Sequence, residues 1–168
     1  MSITMYSASV PIYDRMFSNM LTWLDKAEEY AEAKGFDSAN YLGLRLGPDV
    51  LPFSRQIQIA SDSCKGSLAR LSGQEAPSWP DDEATFAELR GRIEKTLEFA
   101  RSFGTEQLEG TDENEITFEV PGISLKFTGE SFLKTFALPN FFFHCTMSYA
   151  LLRQAGVPLG KMDYLGAP

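Results

Sequence analysis

The sequence predicts an all-α fold, a four-helix bundle with a short β-hairpin inserted before the last helix, and three observations carry that expectation. Apolar residues recur at spacings of three and four through four long stretches of the chain. Glycine or proline stands at the ends of those stretches, where helices stop or start. One segment, "GTDENEITFEVPGISLKFTG", changes instead to the alternating β-favouring pattern of paired strands.

Residues 7 to 34 carry Val10, Tyr13, Met16, Phe17, Met20, Leu24, Ala27 and Ala31 on one helical stripe, and Gly35 supplies the C-terminal cap. Residues 36 to 51 hold Asp37, Gly43, Gly47 and Pro48 and read as a connection, with one turn of helix around 39 to 44. A second helix starts near Pro52, a favoured first-turn residue, and buries Phe53, Ile57, Ala60, Cys64, Leu68 and Leu71 before Gly73 stops it. "QEAPSWPDD" is a linker.

The third helix opens at Thr85 with Glu88 three residues on, the spacing of a capping box, and runs to about Phe103 with Phe86, Leu89, Ile93, Leu97 and Phe99 or Ala100 facing inward. Strands near 116 to 120 and 123 to 127 flank Pro121 and Gly122. Two strands alone are marginal, so the hairpin is expected to lie against the helices. Thr128 can cap the last helix, which runs to Gln154 and ends at Gly156, with Pro139 inside it as a kink or a division.

The 168 residues fit one domain, residues 1–168, large enough for its own core. Hydrophobic residues at 43% and 13 phenylalanines exclude a disordered chain. A net charge of -8 repels phosphate backbones and anionic lipid, so no nucleic-acid partner is expected. The longest apolar run is broken by Asn140 and His144 and falls short of the roughly 20 residues of a bilayer span, so no membrane partner is expected either. The N-terminal stretch "MSITMYSASVPIYDRM" lacks the basic and apolar regions of a signal peptide, and the expected compartment is the cytoplasm. Cys64 and Cys145 then read as small buried hydrophobes. No CxxC, HExxH, P-loop or GxGxxG pattern occurs.

Chemistry therefore has to come from polar residues inside the bundle. Asn140 and the only histidine, His144, lie four apart and share one face of the last helix, among Phe141, Phe142, Phe143, Met147, Tyr149, Leu151 and Leu152. A buried polar group without a partner costs roughly 1 to 3 kcal/mol, so each needs one. Helix two offers Gln56, beside its apolar stripe, with Gln58 intermediate and Asp62 nearly opposite. Cys145 points about 100° away from its neighbour His144, a poor geometry for a thiolate pair. No serine has the partners of a triad, and catalytic residues stay unassigned.

The run "NFFFHCTMSYALLRQAGVPLG" resembles the last-helix signature of the DinB-like (DinB/YfiT-like) bundle superfamily, in which a His-x-x-x-His pair precedes the helix end. "MYSASVPIYDRM", "FSRQIQIASD", "FTGESFL" and "ALPNFFFHCTMSYALLRQAGV" together resemble, over nearly the whole chain, a bacterial family of that superfamily known only as a domain of unknown function. In the metal-binding relatives two histidines of the last helix and one of helix two hold a divalent cation, and some members transfer a small thiol or hydrolyse small substrates. By position, His144 matches the second histidine of the pair, Asn140 stands at the first, and Gln56 or Gln58 replaces the ligand of helix two.

One imidazole with two neutral amides is a poor set for zinc, nickel or copper, and offers too little oxygen and charge for harder cations. The resemblance thus implies a degenerate tri-histidine site and no cofactor, with His144 the ligand if a metal is held at all. The expected function is binding of a small molecule in a bundle-core pocket formed by His144, Asn140, Gln56 and Gln58. The alternative is a metal-dependent small-thiol transferase or hydrolase, and a third reading is an interaction protein. An apolar face left over after packing would bury itself in a homodimer.

Overall fold

The computed structural model describes residues 3–120 and 122–166. Helix α1 spans Val10–Lys34, α2 Phe53–Ser72 and α3 Phe86–Arg101, followed by the short α4 at Thr105–Leu108. Strands β1, Glu115–Val120, and β2, Ile123–Thr128, precede a continuous helical run. That run comprises α5 at Gly129–Phe132, a π turn at Leu133–Ala137 and α6 at Leu138–Gln154, and α7 at Lys161–Leu165 closes the chain.

The four long helices form a bundle in which α1 and α2 each pack against both α3 and α6. Its core takes every residue of the α1 and α2 stripes, together with Trp23, Phe132 and Phe141. Gly35 and Gly73 adopt left-handed φ values of 75° and 72°, which a side chain would resist, and so end their helices. Helix α1 begins later than residue 7, because Ser9 is still non-helical and Pro11 then occupies the first turn, where a missing N–H costs nothing. The turn between α1 and α2 is a single 3-10 turn at Ser38–Tyr41. At α3 the capping box is complete, with Thr85 Oγ1 accepting from Glu88 N–H at 3.2 Å and the Glu88 carboxylate accepting from Thr85 N–H at 2.9 Å.

The hairpin pairs antiparallel, Ile116 opposite Phe127 and Phe118 opposite Leu125. Ile116 is buried, and the Phe118 and Phe127 rings meet Phe136 at 4.5 and 5.7 Å, so the sheet closes one apolar face on the helices as two isolated strands must. The expected turn residue Pro121 lies outside the described residues. At the hairpin's base, Glu130 N–H bonds the Asp112 carbonyl at 2.8 Å, and a Cβ on Gly129 would collide with the Thr111 carbonyl oxygen. Thr128 caps the helical run, its Oγ1 accepting from Ser131 N–H at 3.3 Å.

Pro139 does not break the helical run in two. Proline removes an N–H and its ring crowds the carbonyl four residues back, that of Thr135. The backbone answers by widening: Leu138 N–H bonds to the Leu133 carbonyl, five residues back, and the helix continues through the proline. Helix α6 has one face in the core and one toward solvent, since Phe141 is fully buried while Phe143 is 57% exposed.

Two short helices have too few residues for a periodic signal and escape the sequence reading. Helix α7 docks on α1 through Trp23 Nε1, which donates to the Asp163 carbonyl at 2.8 Å, through the Lys26 to Asp163 ion pair at 2.6 Å, and through Tyr164 stacked on Trp23. Among the described residues, no helix is long and apolar enough to cross a membrane.

One local cost stands out. The Tyr41 ring lies 5.5 Å from the Phe36 ring and 5.7 Å from the Phe86 ring, and its buried hydroxyl has no hydrogen-bond partner among the described residues. Burial accordingly pushes its pKa up. An unpaired buried hydroxyl costs roughly 1 to 3 kcal/mol, so Tyr41→Phe is expected to stabilise the protein by about 1 kcal/mol. A urea midpoint that stays put or falls would contradict this.

Candidate functional site

Helices α2 and α6 pack closely, and this contact carries most of the polar residues singled out in the sequence. His144 Nδ1 lies 2.8 Å from Gln56 Oε1, and Gln56 Nε2 donates to the Leu51 carbonyl at 2.8 Å. Because the amide spends its N–H on Leu51, its oxygen faces the ring, and His144 donates from Nδ1. The neutral ring therefore keeps a lone pair on Nε2, which has no hydrogen-bond partner among the described residues. Burial holds the His144 pKa below the ordinary histidine value.

The unfolded chain takes up a proton on His144 near the ordinary histidine value of 6.5, whereas the folded chain does so only at lower pH. Stability from this group is complete above about pH 6.5 and falls as the pH drops from there through the folded pKa. Since the chain has one histidine, its ring proton resonances report the titration directly. A midpoint above the unfolded value would refute the assignment.

Asn140, one turn earlier, turns to a different partner: its Nδ2 donates to Ser63 Oγ at 2.7 Å. It lines a cleft of about 250 Å³ between α2, β1 and the helical run at the π turn. Phe118, Phe132 and Phe136 wall this cleft, and Ile59, Asp62, Ser63, Ser67, Arg70 and Ala137 complete its lining. Arg70 donates to the Gly66 carbonyl at 2.9 Å and lies over the Phe118 ring at 5.2 Å. Among the described residues it has no carboxylate partner. Ser67 is satisfied within the core, donating to the Cys64 carbonyl at 2.9 Å and paired with the buried Tyr13 hydroxyl at 2.7 Å.

Gln58 belongs to a third group. Its Oε1 accepts from Arg55 at 2.8 Å and its Nε2 donates to Glu83 at 2.8 Å. Glu83 in turn pairs at 3.0 Å with Arg92, a guanidinium whose residue is 1% exposed. Arg92 also pairs with Asp62 at 2.8 Å and Asp81 at 3.1 Å, and bonds Ser61 Oγ and the Pro80 carbonyl. Asp62 takes Lys65 as a second cation at 2.9 Å. Trp79, in the linker, is approached by the cationic groups of Lys65, Arg92 and Lys95 at 4.6, 5.6 and 4.8 Å. Burial works to raise the Asp81 carboxyl, but Arg55 and Arg92 outweigh it and hold it below the usual range.

Of the four residues expected to share a pocket, the structure joins His144 to Gln56, sets Asn140 on the cleft, and places Gln58 in the arginine network. Sequence reasoning missed Arg70 and Arg92. Arg92 had a signal, since it follows Leu89 by three and precedes Thr96 by four on the buried face of α3.

The donors do not fit a divalent transition metal. Gln56 directs its oxygen at His144, Asn140 brings only a neutral amide oxygen, and Asp62 is held by two cations. Among the described residues no group of three His, Cys, Asp or Glu side chains could hold a metal ion. Cys64 and Cys145 are buried free thiols whose pKa values burial pushes up, which disfavours the thiolate form.

A bundle of this layout, with a hairpin leading into its last long helix, is the DinB-like architecture. A crystal structure described as a DinB family member protein from Shewanella denitrificans matches with a TM-score of 0.88 and 39% sequence identity, over 97% of this chain and 92% of that one. The family model described as Domain of unknown function (DUF1993) matches residues 5–165, and the chain belongs to that family. No curated protein matches the chain.

Proposed function

We propose that the protein binds a small molecule in the cleft beside the π turn, with Asn140 among its polar contacts, and that the divalent-metal site of its DinB-like relatives is degenerate here. The observation that carries this reading is the cleft's lining. Phenylalanine rings form its walls, while Ser63, Arg70 and Asn140 bring hydrogen-bonding capacity that the fold does not fully use. The π turn supports it, because such widened turns are frequent at functional sites and this one delivers Phe136, Ala137 and Asn140 to the cleft. His144 and Gln56 act beside it as a hydrogen-bonded pair that fixes α6 on α2.

The test is a fragment screen read by amide chemical shifts of the labelled protein. Shifts gathered on Ser63, Phe136 and Asn140, and abolished by Ile59→Trp, which fills the cleft, are the expected result. Hits that leave those amides still, or that survive the filling substitution, would reject the cleft as the site. Zinc, nickel or manganese retained at one ion per chain and lost in His144→Ala would reject the degenerate-site reading.

A further inference from the structure

We propose that the cleft's ligand is a small monocarboxylic acid with an aromatic body, its carboxylate held by Arg70 and Ser63 and its ring set against Phe118 and Phe136. This rests on the binding reading above and narrows it to a chemical class.

The guanidinium of Arg70 lies at the cleft with one N–H used, on the Gly66 carbonyl, and no carboxylate partner among the described residues. It lies over the Phe118 ring at 5.2 Å, and its fork of N–H donors suits a two-oxygen acceptor. Ser63 Oγ accepts from Asn140, so its own hydroxyl proton is free to donate to a carboxylate. A carboxylic acid matches this set of donors.

Charge selects a monoanion over a phosphate. The cleft's one acidic residue, Asp62, is already matched by Arg92 and Lys65, so a ligand meets a single unspent cation. A dianion would leave one charge unmatched in a chain whose net charge is already -8. The body follows from the walls. Phe118 and Phe136 lie 4.5 Å apart, and Phe132 stacks on Phe136 at 5.8 Å, so an aromatic ring extends an existing cluster. A volume of about 250 Å³ has room for a ligand with a single aromatic ring.

The experiment titrates labelled protein with phenylacetate, 2-phenylethanol and phenyl phosphate, in wild type, Arg70→Gln and Arg70→Lys. Phenylacetate is expected to shift the amides of Ser63, Phe136 and Asn140 and to bind about tenfold more tightly than the neutral alcohol, as a charge-assisted pair warrants. Arg70→Gln should bring the acid down to the alcohol's level and leave the alcohol unchanged, with Arg70→Lys between. Equal binding of acid and alcohol, or an acid indifferent to Arg70→Gln, overturns the acid class while leaving the cleft in place. Tighter binding of phenyl phosphate overturns the monoanion. If all three leave the cleft amides unmoved, both this inference and the reading beneath it fall. The Arg70 side chain is partly solvent-facing, so unchanged thermal midpoints in the variants are the control for folding.

Discussion

Replacing Arg92 with methionine is expected to destabilise the protein by roughly 3 to 5 kcal/mol, because it strips the cation from Glu83, a carboxylate that the fold has already taken out of water. The loss is not shared evenly. Asp62 keeps Lys65 and Asp81 keeps Arg55, but the Glu83 side chain, 6% exposed, keeps only the amide of Gln58. At this chain length each kcal/mol shifts the thermal midpoint by about 2 to 4 °C, so a fall of roughly 6 to 20 °C should be seen. The double variant Arg92→Met with Glu83→Leu discriminates the cause. If the stranded carboxylate is what costs, the double variant melts above the single one. If it melts at the same temperature or below, the arginine acts through packing and linker contacts instead.

The second large effect is expected from Phe141→Ala. Phe141 is wholly buried, edge-on to Tyr13 at 4.8 Å and near Phe17 at 5.2 Å, at the contact between α1 and α6. Removing a buried phenylalanine costs roughly 3 to 5 kcal/mol, the transfer loss plus the cavity. Phe143→Ala, two residues along, should cost within about 0.5 kcal/mol, since that ring already faces solvent. Equal losses at the two positions in chemical denaturation would show that α6 sits differently.

That contrast also marks what the sequence makes legible. The α1, α2 and α3 stripes could be read because one helix repeats its buried face every three to four residues, and a single repeat is enough to orient it. Through "FFFH" every position is apolar or aromatic, so periodicity carries little orientation there and the buried ring has to be found from the partner helix. The pairing of His144 with Gln56 was within reach because both sit beside apolar stripes on helices that must meet. Gln58 was not, since its partner Glu83 comes from the loop before α3, and where such a loop folds back is not written in any local pattern. The cleft was hidden for a related reason: Arg70 reads as an ordinary surface residue until the hairpin brings Phe118 beneath it.

The π turn also sets how freely this chain can gain or lose residues. A turn of this kind holds one residue more than an ordinary α turn, and one residue is worth about 100° of helix rotation. Phe132 before it and Phe136 within it are phased to the hairpin; Asn140 and His144 after it are phased to α2. Deleting a single residue between Thr128 and Pro139 would allow an uninterrupted helix yet leave one of those two phases wrong. The count of residues across this stretch is thus more tightly constrained than their identity, and a one-residue change in loop length that the linker at 74–82 could absorb would here disconnect the hairpin from the bundle.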